Sequence, residues 1–151
     1  MIQRILVPLD GSDTEHRVMG QAIEMARAHR AKLVLLHVVT DYPMMVEMAS
    51  VASIDTMRRS LRHYGEQVLA DATRFCTEND VQAQSLLREV PNARAADAIV
   101  DEVQRSSCDM IVLGTHGRSG LTRLVLGSDA QLVLKTSPVP VLVVRMSAPV
   151  P

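Results

Sequence analysis

The 151-residue chain contains no tryptophan, two tyrosines and one phenylalanine. Tyr42, Tyr64 and Phe75 are too few and too scattered to form a surface on which bases stack. Charge of one sign is also missing: 16 Lys and Arg are interspersed with 17 Asp and Glu, for a net charge of −1. Without a basic field to hold a polyanion, nucleic acid is not an expected partner. No apolar run approaches the roughly 20 residues of a membrane span, and Met1–Arg4 does not begin a signal peptide. The expectation is therefore no membrane association and a cytoplasmic location. Cys76 and Cys108 lack the spacing of metal ligands or of a Cys-x-x-Cys pair, and each sits in an apolar setting, as reduced core thiols do. Also absent are a His-Glu-x-x-His helix, a Gly-x-Ser-x-Gly elbow, a Walker lysine and the Gly-x-Gly-x-x-Gly of dinucleotide enzymes. An efficient hydrolase or an oxidoreductase thus has no support.

What the chain does have is a pattern of glycines behind an apolar run. Met110–Leu113 leads into Gly114, Thr115, His116 and Gly117, and after nine further residues come Gly127 and Ser128. Glycine permits positive φ and close backbone approach, and a helix starting at Ser128 would direct unpaired N–H groups at an anion. This is the composition of a phosphate-cradling loop. Nine residues can span about 30 Å when extended, so they must fold back for both glycine pairs to meet one ligand. Leu121, Leu124 and Val125 have the spacing to anchor that fold. Arg118 and Ser119 are candidates to clamp phosphate by charge-assisted hydrogen bonds. His116 has no sequence neighbour to orient it as a base.

Strand and helix signals alternate along the chain. A buried strand at Ile5–Val7 ends at Pro8, and Ser12 and Glu15 have capping-box spacing ahead of Val18, Met19, Ala22, Ile23 and Ala26 at helical period. Leu33–Val39 is a second apolar strand, interrupted by His37, which is read as a hydrogen-bonded core residue. The pattern is irregular from Thr40 to about Ile54 and predicts a mobile loop. Asp55 is the expected cap of a long helix with Leu61, Tyr64, Val68, Ala72 and Phe75 on its apolar face. Val81–Leu87 predicts a polar edge strand. Asn92 is the expected cap of a helix carrying Ala95, Ile99 and Val103, and strands four and five fall at Met110–Leu113 and Val139–Val144. Alternation with near-continuous apolar strands predicts one doubly wound α/β domain over 1–146, followed by a short tail over 147–151. In such a fold the ligand lies beyond the carboxyl ends of the strands, where the winding reverses.

The segments Ile5–Ser12, Leu36–Val38, Gly114–Gly117 with Gly127–Ser128, and Pro138–Val144 together resemble the universal stress protein family over nearly the whole chain. The glycine spacing is the most specific of them and matches the family's ATP-binding branch. The resemblance implies a Rossmann-like, five-stranded parallel sheet of order 3-2-1-4-5. It further implies ATP and Mg²⁺ bound across strands one and four, and a homodimer paired through Val139–Val144. By residue, it places Pro8 and Asp10 in the first loop, with Asp10 contacting nucleoside or metal, Val38 against adenine, and Gly114, Gly117, Gly127 and Ser128 at phosphate. Leu9, Thr115, His116, Arg118 and Asp129 complete the candidate binding set from the same loops. Two positions depart from the pattern: Val90 and Pro91 stand where many members have a glycine, and Asp129 where some have an apolar residue. The implied function is an ATP-binding sensor or regulator in stress response, acting on an unknown regulatory protein partner. A slow ATPase, an autokinase acting on Ser119 or Ser128, and a nucleotide-free interaction protein are the alternatives.

Overall fold

The computed structural model describes residues 1–40, 51–115 and 126–145. Its elements are β1 (Arg4–Pro8), α1 (Glu15–His29), β2 (Lys32–Val39), α2 (Val51–Glu78), β3 (Ala83–Glu89), α3 (Ala95–Arg105), β4 (Met110–Gly114), α4 (Ser128–Thr136) and β5 (Val141–Val144). The five strands form one all-parallel sheet in the order β3-β2-β1-β4-β5, as the alternating pattern and the family resemblance require. Successive side chains of a strand face opposite sides, so each central strand feeds two cores. Ile5, Val7, Leu33 and Leu35 pack with α1 and α2, and Leu6, Val34 and Leu36 with α3 and α4. Leu33–Leu36 are almost fully buried, which explains why β2 reads as a continuous apolar run.

β3 and β5 are the sheet edges. β3 has no fully buried residue, each of its seven positions being exposed or half-buried, as its polar sequence predicts. β5 is shorter than the expected 139–144: Pro140 precedes it and contributes only its carbonyl, which accepts a 3.0 Å bond from Ile111 N. A proline is tolerated there because no N–H is required.

Helix starts differ from the sequence reading. α1 has Thr14 at its N-cap, without a side-chain cap bond, and Ser12 lies in the preceding turn. α2 already includes Val51, so Asp55 is inside the helix, and residues 51–54 are not loop. The remainder of the expected loop, 41–50, lies outside the described residues. α3 is capped at Arg94, while Asn92 takes a positive φ of 60° to turn the chain. Asn tolerates that conformation better than most residues. On α2 the face is rotated: Val68, Leu69, Ala72 and Cys76 are buried, while Phe75 is 37% exposed.

Both cysteines are buried and free, and burial pushes each thiol up to about 11. They are therefore thiols, not thiolates, at neutral pH. At the opposite end of the sheet from the glycine loop, Asp109 Oδ2 accepts from Gln3 N at 2.7 Å and Arg4 N at 2.9 Å. These bonds hold its carboxyl below the usual range. Stability from a depressed carboxyl is present above its unfolded pKa and lost as pH falls through the folded one. Asp109→Asn is expected to lower unfolding free energy by about 1 kcal/mol at neutral pH, with the gap closing in acid; urea melts at the two pH values measure it.

Candidate nucleotide site

β1 and β4 are neighbours, with Ile5 opposite Met110 and Leu6 opposite Ile111. The strand order reverses between them, so their carboxyl ends open a crevice at the switch point. A cleft of about 330 Å³ lies there. Leu36, Val38, Ile99, Leu113 and Val133 supply apolar wall, Pro8, Leu9 and Asp10 form one rim, and Gly114, Gly127, Ser128 and Asp129 form the other.

The first rim is a tightly bonded turn. Leu9 N donates to Leu36 O at 2.8 Å, extending the β1 ladder by one residue. Ser12 N donates to Asp10 Oδ1 at 2.9 Å, closing an Asx-type turn. Gly11 sits between them at φ 78°, and a Cβ there would meet the Tyr64 hydroxyl at 2.0 Å. No other residue satisfies both the backbone angle and the space. Gly11 N donates to Glu15 Oε2 at 2.6 Å, so the acid of the expected capping box reaches one residue beyond Ser12.

Two side chains from other elements hold this rim from beneath. His37 Nδ1 donates to Leu9 O at 2.8 Å, which fixes the tautomer, since a carbonyl only accepts. The Tyr64 hydroxyl donates to Asp10 O at 3.2 Å. The two rings meet edge to face, with centroids 6.0 Å apart and planes at 67°. His37 is 7% exposed and is thus the hydrogen-bonded core histidine that the sequence indicates.

The second rim brings Gly114 and Gly127 to one cleft. Thr115 N donates to Val144 O at 3.2 Å, and Gly127 N to Thr115 O at 2.8 Å. The chain leaving β4 therefore returns to its starting point before α4. Thr115 fastens this closure and is not part of the cleft lining. Gly127 caps α4 without a side-chain bond, leaving the N–H groups of the first turn for a ligand. Asp129, in that first turn, lies 3.9 Å from Arg94 Nη2. That pairing offsets part of the negative charge it brings toward an anion. His116, Gly117 and Arg118, with Ser119 and the apolar residues Leu121, Leu124 and Val125, lie outside the described residues.

Of the candidate set, Pro8, Leu9, Asp10, Val38, Gly114, Gly127, Ser128 and Asp129 line one cleft. Glu15, Tyr64 and Arg94 were not among the candidates. Glu15 carried the signal of a helix cap and Tyr64 that of a core face, and only the fold places them at the rim. Burial raises the Glu15 carboxyl to about 7; the bond from Gly11 N–H opposes this, and the Asp10 and Asp71 carboxylates add to it. Among the described residues, no group of three or more His, Cys, Asp or Glu is arranged to hold a metal ion. No helix among them is long and apolar enough to cross a membrane.

A model of the universal stress protein family matches residues 1–145. A universal stress protein of Methanocaldococcus jannaschii is 32% identical over 146 residues, which cover 96% of this chain and 83% of that one. Among solved structures, a universal stress protein family member from Burkholderia pseudomallei superposes with a TM-score of 0.76 at 28% identity, covering 96% of this chain and 97% of that one. A universal stress protein solved in complex with cAMP matches with a TM-score of 0.70 at 25% identity, covering 97% and 99%.

Proposed function

Since the chain belongs to the universal stress protein family, we propose that it binds ATP with Mg²⁺ in the cleft between β1 and β4 and acts as a nucleotide-dependent sensor or regulator in stress response. The observation that carries this reading is the gathering of both rims, far apart in sequence at Pro8–Asp10 and at Gly114 with Gly127–Asp129, around one cleft at the switch point of the sheet. The apolar wall with Val38 suits a base, and the first turn of α4 with the glycine loop suits phosphates. Binding of cAMP by a protein of similar fold and sequence supports an adenine nucleotide as the ligand class.

The donor set fits the metal as well. Mg²⁺ usually keeps several waters and is held by substrate phosphates with one or two carboxylates. Asp10 provides such an oxygen from the first rim, and Gly114, Gly117, Gly127 and Ser128 would hold the phosphates. Rapid hydrolysis would need a base, a positioned water and stabilisation of developing charge, and Arg118 is the one evident sequence candidate for any of these, so turnover is slow or absent in this reading. The protein acts in the cytoplasm and signals to a regulatory protein partner through nucleotide occupancy.

We also assign homodimerisation to Val139–Val144. β5 is an open edge with half-buried valines at 141, 143 and 144, and such edges pair. Val143→Lys is expected to convert a dimer to a monomer at micromolar concentration in sedimentation. Native mass spectrometry of the purified protein tests both assignments. Two chains with adenine nucleotide attached support them, and a nucleotide-free monomer that gains no mass with added MgATP refutes them.

A further inference from the structure

The rim that presents Asp10 is held by two elements distant from it in sequence. His37 on β2 and Tyr64 on α2 donate to the consecutive carbonyls of Leu9 and Asp10, at 2.8 Å and 3.2 Å. Glycine permits both contacts. A Cβ on Gly65 would stand 2.4 Å from His37 Cδ2, and one on Gly11 would stand 2.0 Å from the Tyr64 hydroxyl. α2 therefore sits against β2 and the β1–α1 turn at a distance that only bare backbone allows, and the phenol oxygen reaches the turn only because position 11 has no side chain. A carbonyl fixed in direction also fixes the peptide plane that follows it, and hence the Gly11 N–H that Glu15 accepts and the start of the turn closed by Asp10 Oδ1 on Ser12 N.

We propose that Tyr64 is a positioning residue of the nucleotide site: by holding the Asp10 carbonyl from α2, it sets the direction in which the Asp10 carboxylate meets nucleotide and metal. The proposal rests on the ATP and Mg²⁺ reading given above. Tyr64 acts through Asp10, and the site consequently depends on the packing of α2 against the sheet as well as on the loops that touch the ligand. His37 is the second half of the brace but is deeply packed, so its removal would disturb the core. Tyr64→Phe keeps the ring and its edge contact with His37 and deletes only the hydroxyl.

Two measurements on the full chain decide the matter. In the absence of nucleotide, amide hydrogen exchange read by NMR is expected to be about tenfold faster at Gly11 and Ser12 in Tyr64→Phe, with Val68 and Ala72 of α2 unchanged. Titration of MgATP is expected to show affinity reduced about tenfold by Tyr64→Phe in the wild-type background and unchanged by it in the Asp10→Ala background. Unaltered exchange at Gly11 and Ser12 overturns the proposal. So does faster exchange throughout α2, which is general loosening, or an equal loss of affinity in both backgrounds. If the wild type binds no ATP, the ligand reading fails, and the exchange result alone still shows whether Tyr64 holds the turn.

Discussion

Gly65→Ala is expected to destabilise the protein by about 2 kcal/mol, although helix propensity alone would stabilise it by about 1 kcal/mol. Gly65 lies within α2, where alanine is the better helix former, and it is buried. The added methyl would meet His37 Cδ2 at 2.4 Å and Leu87 Cδ1 at 2.8 Å. Leu87 Cδ1 is the tip of a half-buried side chain and can turn aside, but the His37 ring is buried and anchored to Leu9 O. Either the His37 bond breaks, leaving a buried ring nitrogen and carbonyl unmatched, or α2 moves off the sheet. Overpacking of this kind typically costs 1–3 kcal/mol, to which the lost bond adds about 1 kcal/mol. The sum exceeds the propensity gain. Denaturant unfolding measures it; a variant as stable as wild type would show that α2 packs less closely than the structure indicates.

Glu15→Gln is expected to change the pH dependence of stability between about pH 4.5 and 7. The folded carboxyl titrates near 7 instead of 4.5, so between those values the folded state binds more protons than the unfolded one. Unfolding free energy therefore falls as pH rises through this window. A shift of this size corresponds to at most about 3 kcal/mol, and partial exposure of the side chain to solvent reduces it. Glutamine can still accept from Gly11 N–H but carries no charge to desolvate beside Asp10 and Asp71. The variant should match wild type near pH 4.5 and be the more stable protein, by about 2 kcal/mol, above pH 8. Parallel urea melts across this range would reveal it. Curves that keep a constant separation would mean that Glu15 titrates normally.

Much of this architecture was legible in the residues. β1, β2 and β4 are buried on both faces, and Ile5–Val7, Leu33–Val39 and Met110–Leu113 show it as unbroken apolar runs. The alternation with helices then leaves little choice but a parallel sheet. Helix starts were less legible because Ser12 and Asn92 serve turns as readily as caps: Ser12 donates into the Asp10 turn, and Asn92 adopts positive φ. Neighbouring helix positions lie about 100° apart, so Cys76 could replace Phe75 on the buried face of α2 without breaking the pattern. At the site, the glycine spacing pointed to the second rim, and the Asp10 turn to the first. Tyr64 and Arg94 were not legible as site residues, because the fold alone brings Tyr64 from α2 to the Asp10 carbonyl and Arg94 to Asp129, whereas Glu15 bonds locally to Gly11 N–H and carried only the signal of a helix cap.

The most direct test is calorimetric titration of the wild-type chain with ATP in the presence of Mg²⁺, with Gly117→Val and Asp10→Ala alongside. Saturable binding in the micromolar range, about −8 kcal/mol, is predicted for the wild type. Gly117→Val should abolish it by adding bulk where the proposed site requires close backbone approach to phosphate, without loss of fold by circular dichroism, and Asp10→Ala should weaken it. A wild type that takes up no ATP at millimolar ligand, or a Gly117→Val variant that binds equally well, would contradict the account.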